Sequence, residues 1–197
     1  MAAKTLLLDL DGTIWDSRPW FTATISRLGG VRESEIEAYL TKDANVIHLA
    51  KRYGTNKQQL ASTVYEKEIP IVLYEGVPRV LRQLLDRSVT IALVTNLSRT
   101  IVTPVLEVTN LKNCFATIVT PRHGVRAKPR PDGISKALME MDRSVTESTW
   151  YLGDRLTDAK AARAANVRFA WASYGYEQEE PPGTEVVLNH FSDALLL

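Results

Sequence analysis

Short apolar runs alternate with amphipathic stretches along most of the chain, and their spacing sorts them into strands and helices. The run at 6–10 and the nearly continuous one at 89–94 suit parallel strands covered on both faces better than an edge exposed to water. Shorter strands are expected at 116–119, 150–152, 167–171 and 186–188. Between them apolar residues recur at helical spacing: Val77, Val80, Leu81, Leu84 and Leu85 over 76–85, and Ile134, Ala137, Leu138 and Met141 over 131–141. An alanine-rich helix is expected at 157–165, and residues 98–108 read as a helix that Pro104 kinks or shortens. Alternation of this kind predicts an α/β fold with a mostly parallel sheet, whose ligand crevice lies at the carboxyl ends of the strands.

The stretch 16–74 departs from the pattern, with no convincing strand and several helical pieces. Ser17 is expected to cap a helix starting near Arg18 and Pro19, with Trp20, Phe21, Ile25 and Leu28 on its apolar face and Gly29-Gly30 at its end. Ile36, Tyr39 and Leu40 mark a second piece; Val46, Ile47, Leu49 and Ala50 mark a third. Thr55 and Gln58 stand at capping-box spacing for a fourth, which carries Leu60, Ala61 and Val64 toward Pro70. The expected organisation is a core of 1–15 and 75–197 with a helical cap, 16–74, inserted into it. Residues 174–183 read as a loop closing the core, and Ser192 as the cap of a last helix over 193–197.

With 197 residues, 45% hydrophobic and 24% charged, the chain has enough apolar material for a substantial core. A net charge of +1 offers no global attraction for nucleic acid or for an anionic membrane surface, so neither is an expected partner. The single cysteine, Cys114, excludes an intrachain disulfide and is expected as a small buried hydrophobe beside Phe115. The first residues resemble neither a signal peptide nor a membrane span, leaving a cytoplasmic setting as the default expectation.

Chemistry-bearing residues gather after the expected strands. In LLLDLDGT, an extended 6–10 would start Asp9 and Asp11 on the same side, and two close carboxylates need a cation or a shared proton. Thr95 and Asn96 follow 89–94, Asp154 and Asp158 follow 150–152, and Lys128 precedes a helix in KPRPDG. Singly, Thr95 reads as a turn residue and Lys128 as a surface charge. Together they suit a phosphoryl group: carboxylates bind Mg²⁺, while lysine, hydroxyl and amide hydrogens meet phosphate oxygens. Asp9 is then a covalent nucleophile, and Asp11 protonates the departing oxygen and later deprotonates water.

The ordered motifs DLDGT, LVTN, KPRPDG and GDRLTD resemble those of the haloacid-dehalogenase-like hydrolase superfamily, particularly its phosphoglycolate-phosphatase-like phosphatases. The resemblance implies a Rossmann-like core with a helical cap inserted after the first motif. It also implies Asp9 as nucleophile and Asp11 as general acid/base, with the Asp11 backbone carbonyl a Mg²⁺ ligand. Thr95, Asn96 and Lys128 become the phosphate clamp, Asp154 a direct metal ligand, and Asp158 a ligand or a residue oriented toward the metal or Lys128. The family's haloacid dehalogenases lack an acid corresponding to Asp11, which favours phosphate chemistry. The implied substrate is a small phosphorylated metabolite, phosphoglycolate being one member of the class. A phosphosugar mutase and an inactive phosphate-binding regulator are the alternatives, and a homo-oligomer is compatible with all three.

Other residues carry less. His48, His123 and His190 lack metal-ligand spacing. Trp15, Trp20 and Phe21 are expected to pack in the cap and core ahead of shaping a pocket mouth. Arg18, Arg32, Lys42 and Arg52 are expected as solvated charges. The cap is expected to act as a mobile lid that excludes bulk water and reads the substrate beyond its phosphate.

Overall fold

The computed structural model describes residues 4–40, 52–66 and 68–197. Its strands, in chain order, are β1 (Thr5–Leu8), β2 (Trp15–Asp16), β3 (Val72–Leu73), β4 (Thr90–Val94), β5 (Thr117–Val119), β6 (Thr149–Gly153), β7 (Arg168–Ala172) and β8 (Val186–Leu188). Six form one sheet in the order β5-β4-β1-β6-β7-β8, and every pairing in it is parallel. β1 sits inside, with Leu6 opposite Ile91 on one side and Trp150 on the other. The chain builds outward from β1 through β4 to β5, then crosses back to add β6, β7 and β8. The carboxyl ends of β1, β4 and β6 therefore meet at the reversal, where an open α/β sheet forms its crevice.

Burial on both faces explains the continuous apolar runs. Leu7, Ala92, Val94, Tyr151, Phe169 and Trp171 face one cluster with Ile134, Ala137 and Leu138 of one helix and Ala159, Ala161 and Ala162 of another. Leu6, Leu8, Ile91, Leu93 and Leu152 alternate with them and are equally buried. The helices named, Asp132–Glu140 and Leu156–Ala164, flank a sheet that helices cover on both faces, as in a Rossmann-like fold. Small alanine side chains let the second approach the strands closely.

The chain divides into two compact units, Met1–Asp16, Leu73–Leu97 and Leu111–Leu197 in one, Ser17–Val72 and Ser98–Asn110 in the other. The second holds helices Arg18–Gly29, Glu33–Leu40, Lys57–Thr63 and Arg99–Val108. Inside it Lys57–Thr63 packs on Arg99–Val108, and the Tyr65 hydroxyl donates to Glu107 Oε2 at 2.9 Å. Helix Arg99–Val108 runs through Pro104 without interruption. A buried 3.2 Å contact between the Thr24 and Thr63 hydroxyls joins the first and third of these helices. Trp20 and Phe21 are fully buried, their rings edge to face at 4.8 Å, and Trp15 in the first unit is fully buried too.

Several local expectations need correction. The first strand stops at Leu8, so the pleat that was to align Asp9 with Asp11 ends before either. Two short strands, β2 and β3, pair within the stretch expected to hold none. The capping box belongs to Asn56 and Gln59: Asn56 Oδ1 accepts from Gln58 N at 3.0 Å and Gln59 N at 2.9 Å, and Gln59 Oε1 accepts from Asn56 N at 2.9 Å. Asn56 has the extended backbone that a helix cap requires. At the other end, Phe191–Leu196 is a 3₁₀ helix closed by Asp193, whose Oδ2 accepts from Asn189 N and His190 N; the carboxylate takes two amides where Ser192 was expected to cap. Cys114 is half-buried, and burial pushes its thiol up. The expected helix at Val46–Ala50, with Lys42 and His48, lies outside the described residues. Among the described residues no helix is long and apolar enough to cross a membrane.

Replacing Asn56 by Ala removes the acceptor for two amides at the start of Lys57–Thr63 and should lower stability by about 1 kcal/mol. Urea unfolding checks this, and an unchanged midpoint would contradict the cap.

Candidate active site

Lys128 enters the sheet edge on the long connection between β5 and helix Asp132–Glu140, and its side chain is buried. Its Nζ lies 2.8 Å from Asp9 Oδ1 and 2.6 Å from Asp158 Oδ1. It also donates to the Tyr151 hydroxyl at 2.8 Å and to Val94 O at 3.2 Å. Tyr151 in turn donates to Val94 O at 2.8 Å, so one ammonium is held from the residue after β1, from β4, from β6 and from the helix after β6. Two close carboxylates outweigh the burial that by itself lowers the Lys128 pKa, and its charge is held more firmly than usual. The backbone of Lys128 is fixed as well: Asn96 Oδ1 accepts from Lys128 N at 2.8 Å, and Asn96 Nδ2 donates to Lys128 O at 3.0 Å. Thr95, buried at the end of β4, has an Oγ1 that accepts from Leu97 N at 3.3 Å.

Asp9, Asp154 and Asp158 converge, each offering a carboxylate oxygen within 4.8 Å of the others. Local structure places each one. Asp9 extends the β1–β6 ladder by donating its N–H to Leu152 O at 2.9 Å. Asp158 stands in the first turn of Leu156–Ala164, where Oδ2 accepts from Arg155 N at 2.9 Å and the helix's positive end favours the anion. Asp154 is fully buried; Oδ2 accepts from Tyr176 N at 2.9 Å, whereas Oδ1 has no hydrogen-bond partner. Burial, then the charges of Asp158 and Asp9, push the Asp154 carboxyl well up. Burial also raises Asp9, to about 6, although Lys128 opposes it.

Three buried carboxylates share one close ammonium, the Arg155 guanidinium stands no nearer than 4.0 Å from Asp154 Oδ2, and Asp154 Oδ1 lacks a donor. Hard oxygen ligands of this kind fit a divalent cation such as Mg²⁺. The surrounding backbone is packed for it. A Cβ at Gly12, whose φ is +83°, would fall 2.3 Å from Asp154 Oδ2; one at Gly175 would fall 2.3 Å from Asp154 Cβ and 2.5 Å from Gly12 O.

The Asp11 carboxylate is directed differently. Half-buried in the turn after β1, its Oδ1 is 3.0 Å from the Tyr176 hydroxyl, which is also 3.1 Å from Asp16 Oδ1. Thus Asp9, Asp154, Asp158 and Lys128 form one cluster, Asn96 borders it through the Lys128 backbone with Thr95 next to it in the chain at the end of β4, and the Asp11 side chain engages a separate hydroxyl. Tyr151, Gly175 and Tyr176 were not anticipated. A tyrosine inside a buried strand must place its hydroxyl on a partner, which is the one available sign of Tyr151. Residues 174–176 offered a Gly between two tyrosines directly after a strand, a feature easily read as plain loop.

The sequence profile of the haloacid dehalogenase-like hydrolases matches residues 6–172. The chain belongs to that family, and with its aspartate cluster it is a hydrolase of the phosphatase kind. It is 27% identical over 217 residues to a phosphoglycolate phosphatase of Pectobacterium atrosepticum, covering 100% of this chain and 92% of that one. It is 24% identical over 214 residues to an N-acetylmuramic acid 6-phosphate phosphatase of Pseudomonas putida, covering 96% and 93%. The fold is similar to that of CbbY from Rhodobacter sphaeroides in complex with phosphate, at a TM-score of 0.74 and 19% identity, over 99% of this chain and 100% of that one.

Added Mg²⁺ should stabilise chelator-treated protein by about 2.7 kcal/mol at a hundredfold excess over the dissociation constant, read as a raised unfolding temperature. Asp154→Asn should abolish the rise; an equal rise in the variant would contradict this ligand set. In chelator, the raised Asp9 pKa means its neutral form favours the fold. That contribution is present below the ordinary value of 3.8 and is lost as pH rises through about 6. Wild type should therefore lose stability relative to Asp9→Asn across that window, as read by thermal unfolding.

Proposed function

We propose that this chain is a Mg²⁺-dependent phosphatase that hydrolyses a small-metabolite phosphate monoester through an aspartyl-phosphate on Asp9. The observation that carries the reading is the buried Asp9 carboxylate held 2.8 Å from Lys128 and beside Asp154 and Asp158. A carboxylate approaching a phosphate dianion needs nearby positive charge, and Lys128 supplies it without solvent screening. Asp9, Asp154 and Asp158 would hold the cation, joined by Asp11 through its backbone carbonyl; the bound ion supplies further charge against the phosphoryl oxygens.

In the first step an Asp9 oxygen bonds to phosphorus as the bond to the leaving oxygen breaks, and Asp11 gives that oxygen a proton. In the second, Asp11 takes a proton from water as the water oxygen bonds to phosphorus. The Asp9–phosphorus bond breaks, Asp9 returns as carboxylate, and inorganic phosphate departs. Thr95 and Asn96 bind phosphate oxygens beside Lys128. The inserted segment 16–74, most of which folds in the second compact unit, selects the substrate beyond phosphate. The relatives' names put phosphoglycolate and N-acetylmuramic acid 6-phosphate first among the substrates to try.

The test is inorganic phosphate release from a panel containing both compounds. Turnover should require Mg²⁺ and should fall by more than about 10³-fold in Asp9→Asn. Wild-type turnover in that variant would sink the mechanism. Phosphate release in step with substrate loss, without an isomeric phosphate ester, distinguishes hydrolysis from mutase chemistry.

A further inference from the structure

The phenol of Tyr176 lies between two carboxylates that flank one turn. Asp11 and Trp15 bridge across that turn, which brings Asp16 beside Asp11, and the hydroxyl reaches Oδ1 of both acids at 3.0 and 3.1 Å. The segment that carries it is anchored at several points. Tyr176 N donates to Asp154 Oδ2 at 2.9 Å, Gly175 N donates to Ala172 O at 3.0 Å, and the Tyr174 hydroxyl donates to Thr13 O at 3.0 Å. The Tyr174 ring packs edge to face on Tyr74 at 4.9 Å, and the Arg155 guanidinium lies 5.2 Å from the Tyr176 ring centroid. Segment 174–176 therefore ties the turn after β1 to the loop after β6 and delivers one hydroxyl to Asp11.

From this geometry we infer that Tyr176 is the positioning residue for proton transfer at Asp11, holding its carboxylate apart from the Asp9, Asp154 and Asp158 cluster. A carboxylate two residues from Asp9 and free to swing about its Cα–Cβ bond would otherwise compete as a further ligand for a hard cation. Tyr176 takes up one of its oxygens, so Asp11 serves the leaving oxygen and the attacking water instead. The inference rests on the reading of Asp11 as the proton donor. Misplacing a proton donor matters most where the leaving oxygen is basic and least where it departs readily as an anion.

The experiment measures kcat/KM, which reports the first step, for phenyl phosphate and 4-nitrophenyl phosphate with Mg²⁺ present. Tyr176→Phe should lose about tenfold on phenyl phosphate and less than about twofold on 4-nitrophenyl phosphate. The ratio of the two rates is taken within one sample, so a reduced folded fraction cancels. Loss by the same factor on both esters, as a general packing defect would give, or no loss on either, overturns the inference. Asp11→Asn run in parallel should show a larger differential, to which adding Tyr176→Phe contributes nothing further. If Asp11→Asn shows no differential, the reading of Asp11 fails and the inference with it. If Asp11→Asn shows the differential and Tyr176→Phe does not, only the role of Tyr176 fails.

Discussion

One buried ammonium organises this molecule. Asp9, Asp154 and Asp158 are brought together out of water, an arrangement that like-charge repulsion and desolvation oppose. Lys128 answers two of the three directly, and its position is over-determined by Val94 O, the Tyr151 hydroxyl and the reciprocal amide pairing with Asn96. Strand order follows from the same need. Only a sheet in which β1 lies between β4 and β6 places the first loop, the Lys128 contact at the end of β4 and the GDRLTD loop side by side.

The carboxylate that Lys128 does not reach directly is what suits the site to a divalent cation. It belongs to Asp154, where backbone approaches so closely that Gly12 and Gly175 admit no Cβ. A hard cation held there would add positive charge to that of Lys128, and in the proposed mechanism both face the phosphate oxygens. Stability is spent on this arrangement: burial favours the neutral forms of Asp9 and Asp154, whereas the proposed mechanism requires Asp9 as an anion.

Much of this arrangement was legible in the chain because apolar runs end at the candidate site residues. The strand at Thr90–Val94 announces Thr95, and the helix at Leu156–Ala164 announces Asp158. What escaped is set by tertiary contact. The alternation around Leu8 gives no sign that Asp11 turns to Tyr176, because that partner is 165 residues away. Helix Arg99–Val108 is legible as a helix from its spacing, whereas its packing on Lys57–Thr63 is a tertiary contact that spacing does not carry. Caps were misjudged by one residue at Asn56 because a Thr-Asn pair offers two good caps with Gln58 and Gln59 equally spaced behind them. Helix ends were similarly obscure: Ser88, Asn110, Asp142 and Asn166 follow helices at positive φ, where glycine would have been the plainer signal.

The central claim is that Asp9 carries the phosphoryl group, and chemical trapping reads it most directly. Wild-type protein turning over a hydrolysed phosphate ester with Mg²⁺ is quenched in acid, digested, and its phosphorylated peptide located by mass spectrometry. The account predicts a hydroxylamine-sensitive phosphoryl adduct on the peptide carrying Asp9, absent from Asp9→Asn. An active wild type that yields no such adduct even when quenched within a single turnover, or an adduct on another residue, would contradict it.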